Sequence, residues 1–117
     1  MPDNLDELRA AILRMQGWKS DPYAAQYVGL CPWFDPNGRW FSVPPDPLAD
    51  DRLHELVALA RQYGRLIRLW TYPSAKDVYA DISNDIDIGL GSGSGPTDSI
   101  ALARAIVEAK AARGGEL

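Results

Sequence analysis

The spacing of hydrophobic positions along the chain predicts three helices. Apolar residues in segment 4–16 recur three and four positions apart, which is the spacing of an amphipathic helix. The same period returns over residues 50–63 and again over residues 98–113. Each stripe is wide enough to bury one face of its helix, so all three helices are expected to pack against a common core.

The residues that flank these stripes have the chemistry of helix ends. Asp3 is the predicted N-cap of the first helix, and Thr97 provides cap chemistry for the third. Gly17 and Gly64 follow the first and second stripes, where glycine often ends a helix.

Two segments between the second and third helices have the patterns of strands. Leu66–Tyr72 is rich in strand formers and has apolar residues on both faces, which predicts a strand covered on both sides. Val78–Ile88 alternates between apolar and mostly acidic positions, which predicts one apolar and one carboxylate face. Together these elements predict a single α+β domain over residues 1–117, an α/β sandwich in which three helices pack over a mixed or antiparallel sheet.

Residues 18–47 are rich in proline and aromatic residues and have no helical period. Within them, Asp35-Pro36-Asn37-Gly38 has the residues of a tight turn, so a short hairpin with aromatic residues on both arms is expected. Trp33, Trp40 and Phe41 are candidate partner-binding residues, because large aromatic side chains dominate protein interfaces. The alternative is that they close the core of a small domain.

The stretch Gly89–Gly95 contains four glycines in seven residues and is expected to be a mobile connection. It precedes a helix, so Gly91, Gly93, Gly95 and Thr97 are candidates for binding an anion through backbone amides. The stretch lacks the third glycine of the dinucleotide pattern and the Gly-Lys-Ser/Thr of a nucleotide loop. A flexible connection is therefore the favoured interpretation.

Composition narrows the range of functions without selecting one. The chain has 117 residues and a formal net charge of -4, which disfavours direct binding to nucleic acid. No apolar run approaches the length of a membrane span, and the N-terminus is acidic where a secretion signal is basic. The expected location is the cytoplasm.

The negative charge is concentrated in one interval of the sequence. Between Lys76 and Arg104 there is no lysine or arginine. The interval contains four candidate partner-binding carboxylates: Asp77, Asp81, Asp85 and Asp87. They predict a region of negative potential that attracts a basic partner. The alternative is an ordinary solvated strand face that protects a sheet edge.

The sequence lacks the motifs of catalytic and metal sites. Cys31 and His54 are the only residues of their types, which excludes a disulfide framework and a cysteine/histidine zinc site within one chain. Their spacing does not favour a catalytic pair, and the acidic strand residues do not follow the order of a calcium loop. The chain is therefore expected to be no enzyme and to need no metal or cofactor.

Several stretches resemble the phage ABA sandwich domain family. They are Asp46–Asp51 with the helix that follows, the strand at Leu66–Tyr72, and the closing segment 96–107. The resemblance implies a phage or prophage origin and a sheet with helices packed over it. With a phage origin, the expected location is the cytoplasm of the host cell. It implies no catalytic residues, because the family is one of unassigned function.

These observations predict a small, non-enzymatic phage-type binding protein whose partner is a host protein or protein complex. The specific form of this prediction is that the chain inhibits a bacterial defence system, for example as an anti-CRISPR protein. One alternative is a protein that binds, sequesters or hydrolyses a nucleotide or another small anion at Gly89–Gly95. Another is a structural or assembly component that acts as a homo-oligomer.

Overall fold

A computed structural model describes residues 4–20, 33–41, 43–85 and 88–113. Over these ranges the chain forms three α-helices and six β-strands. In chain order they are α1 (Leu5–Met15), β1 (Lys19–Ser20), β2 (Trp33–Phe34), β3 (Trp40–Phe41), α2 (Leu53–Ala60), β4 (Leu66–Thr71), β5 (Val78–Asp85), β6 (Ile88–Gly95) and α3 (Asp98–Ala112). The predicted α+β class is confirmed.

The strands form two antiparallel sheets, each of three strands within the described ranges. The main sheet has the order β4-β5-β6, with β5 in the middle. All six residues of β4 pair with β5 in an unbroken register that places Arg68 opposite Asp81 and Trp70 opposite Tyr79. The second sheet is small and has the order β1-β2-β3.

Helix α3 is the centre of the fold. It makes most of its contacts with β6 and β5, and it also contacts α1 and α2. Leu102 and Ile106 are fully buried in it, as are three of its alanines. Burial on several sides shows that α3 lies between the main sheet and the other two helices.

The glycine-rich stretch is a strand, so the predicted mobile connection at Gly89–Gly95 is wrong. A methyl group on Gly91 would lie 2.7 Å from the backbone nitrogen of Ala109, and one on Gly93 would lie 2.6 Å from that of Ala105. Only glycine lets β6 approach the backbone of α3 this closely. Tight packing against the helix therefore orders a segment whose composition alone suggests flexibility.

The ends of α1 and α3 follow local chemistry. Asn4 is the N-cap of α1 and accepts a hydrogen bond from the Glu7 backbone N–H at 2.7 Å, so the cap is not Asp3, which lies outside the described residues. Gly17 follows the helix with φ of +96°, as the prediction of a glycine stop requires. Thr97 is confirmed as the cap of α3.

Helix α2 is shorter than the predicted 50–63. A 3-10 turn at Asp50–Arg52 precedes it, and turns connect its end to Gly64. A methyl group on Gly64 would lie 2.8 Å from the Ile82 Cγ2 atom, so glycine is needed where the chain passes β5. Gly64 follows the helix, as predicted, and the chain passes through it into β4.

The predicted hairpin is present as β2 and β3. Its turn is held by the Asp35 carboxylate, which accepts hydrogen bonds from the backbone N–H groups of Asn37 at 3.0 Å and Arg39 at 2.7 Å. Gly38 has φ of +88°, a conformation that glycine adopts without strain.

Candidate functional site

The two faces of the main sheet differ in chemistry because side chains alternate along β4 and β5. On the inner face, Ala80 and Ile82 lie in the core, and Ile67 and Leu69 pack against it. The opposite face is called the outer face below. β4 and the position that follows it contribute Arg68, Trp70 and Tyr72, β5 contributes Tyr79 and Asp81, and β6 contributes Ser92 and Ser94. It is the candidate functional site.

The outer face contradicts the prediction that β4 is covered on both sides. Leu66 is 40% exposed and Tyr72 is 53% exposed, and Arg68 is also exposed. Trp70 is half-buried and stacks on a neighbouring ring of the same face. The apolar pattern on this side of the strand therefore reflects contacts between aromatic side chains within the face.

Three aromatic rings form a continuous cluster on the outer face. The Trp70 and Tyr79 ring centroids lie 6.0 Å apart with an interplanar angle of 22°. Tyr72 meets Tyr79 edge-on, at 5.4 Å and 69°. A groove of about 450 Å³ on the same face is lined by Trp70, Tyr79, Ser92 and Ser94, among others. Cross-strand pairing thus holds the rings in place beside hydroxyl groups.

An ion pair lies next to the cluster. The Arg68 Nη2 atom is 2.5 Å from the Asp81 Oδ2 atom, and these two residues are direct cross-strand partners. The Asp81 side chain is only 12% exposed, whereas that of Arg68 is 54% exposed. Arg68 also lies 6.0 Å from the centroid of Trp70, within range of a cation–π contact. The guanidinium therefore links the carboxylate to the aromatic cluster.

This pairing changes the meaning of the predicted acidic face. Asp77 is exposed, whereas Asp81 is nearly buried and its charge is compensated by Arg68. Asp85 lies in β5, and Asp87 lies outside the described residues. The interval between Lys76 and Arg104 contains no basic residue, but the neighbouring strand β4 supplies a basic side chain beside Asp81.

The hairpin aromatics belong to the small sheet and not to the outer face. Trp33 is buried, with the Arg14 guanidinium 5.5 Å from its ring centroid. Phe41 is half-buried, 5.2 Å from Trp18, and Trp40 is 55% exposed. The predicted aromatic residues thus lie in the small sheet, whereas Asp81 and Asp85 lie in β5 of the main sheet, so the structure does not bring the two groups together.

The candidate anion-binding residues do not form an open loop. Gly91, Gly93 and Gly95 lie in β6 with one side against α3. The Thr97 hydroxyl accepts a hydrogen bond from the Ile100 backbone N–H at 3.2 Å, as the cap of α3. Each of these groups has a role in the packing or capping of α3.

A second depression, of about 460 Å³, lies between α1, α2 and the hairpin turn. Its lining includes Leu13, Trp18, Arg52 and Glu55. The two charged residues pair with each other at 3.0 Å, so neither charge is left to attract a ligand. The outer face, by contrast, combines aromatic rings, hydroxyl groups and a guanidinium that a partner can contact.

Over the described ranges, no three histidine, cysteine, aspartate or glutamate side chains are arranged to hold a metal ion. His54 is exposed on α2, and Cys31 lies outside those ranges. In the same part of the chain, no helix combines the length and the apolar character needed to cross a bilayer.

Sequence reasoning missed Arg68, Trp70, Tyr72 and Tyr79 as a site. The signal was present in the alternation of β4, where positions 68, 70 and 72 are a cation and two aromatics and positions 67 and 69 are aliphatic. Pairing with β5 adds Tyr79 and Asp81 to the same face, which the sequence of β4 does not show.

The chain matches no known protein family, curated protein or solved structure. The resemblance to the phage ABA sandwich family stays a prediction.

Proposed function

We propose that the chain is a non-enzymatic binding protein that recognises another protein through the outer face of its main sheet. The observation that carries the proposal is the cluster of Trp70, Tyr72 and Tyr79 beside the Arg68–Asp81 pair, on a face where Tyr72 is 53% exposed. Tryptophan, tyrosine and arginine are the residues that contribute most to protein interfaces.

The geometry also favours tight recognition because the side chains are held before a partner arrives. Tyr79 contacts both other rings of the cluster, and Arg68 contacts both Asp81 and Trp70. Side chains already restricted in the free protein lose little conformational entropy on binding. The free energy of burying the rings is then available for affinity.

Charge indicates the kind of partner surface. Arg68 and Asp81 compensate each other, so the centre of the outer face is close to neutral. It fits a partner surface with an apolar centre and polar groups that bond Ser92 and Ser94. This differs from the basic partner that the acidic interval predicts. Inhibition of a bacterial defence system is a specific form of the proposal, which rests on the phage origin that the predicted family resemblance implies.

A capture experiment with single variants tests the proposal. The tagged chain is exposed to a bacterial lysate, in keeping with the predicted phage origin, and bound proteins are identified by mass spectrometry. Trp70→Ala and Tyr79→Ala remove rings from the outer face, whereas Trp40→Ala removes an exposed ring from the hairpin as a matched control. All variants are first checked for folding by circular dichroism.

We expect a protein that the original chain captures to be lost from both outer-face variants and retained by Trp40→Ala. Loss with Trp40→Ala and retention with the other two would place the interface on the hairpin and contradict the proposal. Equal capture by all three variants would also contradict it.

A further inference from the structure

Strand β4 is an edge of the main sheet. The order β4-β5-β6 leaves the outer edge of β4 without a neighbouring strand among the described residues. The strand has six residues in unbroken register with β5 and contains no proline and no lysine. Such an edge presents a row of backbone donors and acceptors that another strand can pair with.

The opposite edge carries the protective features that β4 lacks. The register of β6 with β5 shifts at two places near Ser83. The Arg104 guanidinium donates a hydrogen bond to the Ser94 carbonyl oxygen of β6 at 2.7 Å. Register shifts and charged side chains are common means of blocking unwanted strand pairing. β4 has no register shift with β5, and its one charged side chain, Arg68, is paired with Asp81 of the same sheet, so β4 is the edge that is more open to strand pairing.

We infer that β4 pairs antiparallel with β4 of a second copy of this chain, about a two-fold axis perpendicular to the sheet. This axis keeps the outer faces of both copies on the same side. The two main sheets then form one continuous sheet of six strands.

The register that fits this symmetry puts Leu69 opposite Leu69 of the second copy. Ile67 then faces Thr71, and Arg68 faces Trp70, where an arginine and a tryptophan ring attract each other. At the ends, Leu66 faces Tyr72. Each of these pairs brings together side chains of the same sheet face, as antiparallel pairing requires.

Three observations favour this register. Among the residues that the structure describes, Leu66 and Tyr72 are two of four exposed large hydrophobic residues, at 40% and 53%, and the pairing brings them together. A shift that centres the strands on Arg68 would place two guanidinium groups directly opposite each other, which is destabilising. Ile67 and Leu69, which are only half-buried in one copy, gain cover on the inner face.

The first test is the molar mass of the full chain by light scattering over about 1 to 200 µM, because strand pairing depends on concentration. We expect the mass to rise toward twice 12.9 kDa. A mass of one chain over the whole range would overturn the inference. The measurement needs no outer-face partner, so its failure is distinct from that of the proposed function.

Cysteine cross-linking tests the register. In a Cys31→Ser background, the double variant Leu66→Cys/Tyr72→Cys places a cysteine opposite a cysteine of the second copy, close enough for a disulfide. Either single variant separates the two cysteines by six residues along the strands, about 20 Å. We expect covalent dimers from the double variant alone. A folded double variant that stays monomeric on oxidation, or equal cross-linking by the single variants, would overturn the inference.

Discussion

At the scale of single residues, the Arg68–Asp81 pair shows how charge acts in this protein. The sequence places Asp81 in an interval without basic residues, and the fold places a guanidinium 2.5 Å from its carboxylate. The carboxylate is nearly buried and would be poorly solvated without this partner. The pair therefore supports the sheet and shapes the outer face as well.

A double-mutant cycle measures this pair. We expect Arg68→Ala and Asp81→Ala each to lower the free energy of unfolding, with a coupling of about 0.5 to 1 kcal/mol because the arginine is half exposed. Urea denaturation of the four proteins gives the value. Strictly additive effects would show that the contact contributes nothing to stability.

At the scale of elements, the contact between β6 and α3 depends on matched spacing of small residues. Glycines recur every second position in the strand at 91, 93 and 95, and alanines recur every fourth position in the helix at 101, 105 and 109. Two residues of strand and four residues of helix both advance by about 6 Å, so the two rows stay in contact along their length.

Substitution of single glycines tests this packing. We expect Gly93→Ala to lower the free energy of unfolding by about 2 kcal/mol or more, because its methyl group would meet the backbone of α3 at 2.6 Å. Gly89→Ala is the control, since its methyl group would have no neighbour closer than 3.8 Å. Chemical denaturation compares the two. Similar stability for both variants would contradict tight packing of β6 on α3.

The extent to which sequence predicts these elements depends on the range of the interactions. Thr97 and Asp35 act through hydrogen bonds a few residues away, so the start of α3 and the hairpin turn follow from local patterns. β6 is ordered because it packs against α3. The net charge of the outer face depends on Arg68, which lies in β4 and pairs with Asp81 of β5. Contacts between elements of this kind leave only weak traces in local composition.

At the scale of the whole molecule, the arrangement of layers determines which surface is available. Helix α3 covers one face of the main sheet and the two other helices pack on α3, which leaves the outer face uncovered by the described elements. Pairing through β4 would place two such faces side by side, since the inferred two-fold axis keeps them on the same side. A partner with two copies of the recognised surface would then bind with increased avidity.

The most direct measurement is the affinity for the captured protein, by calorimetry, of the original chain, Tyr79→Ala and Trp40→Ala. Tyr79 lies on the central strand β5, so Tyr79→Ala removes a ring from the outer face without substituting a residue of the β4 edge. We predict that Tyr79→Ala weakens binding by about ten-fold or more, as removal of an interface hot spot does, whereas Trp40→Ala changes it by less than about two-fold. Unchanged affinity in Tyr79→Ala would contradict recognition through the outer face.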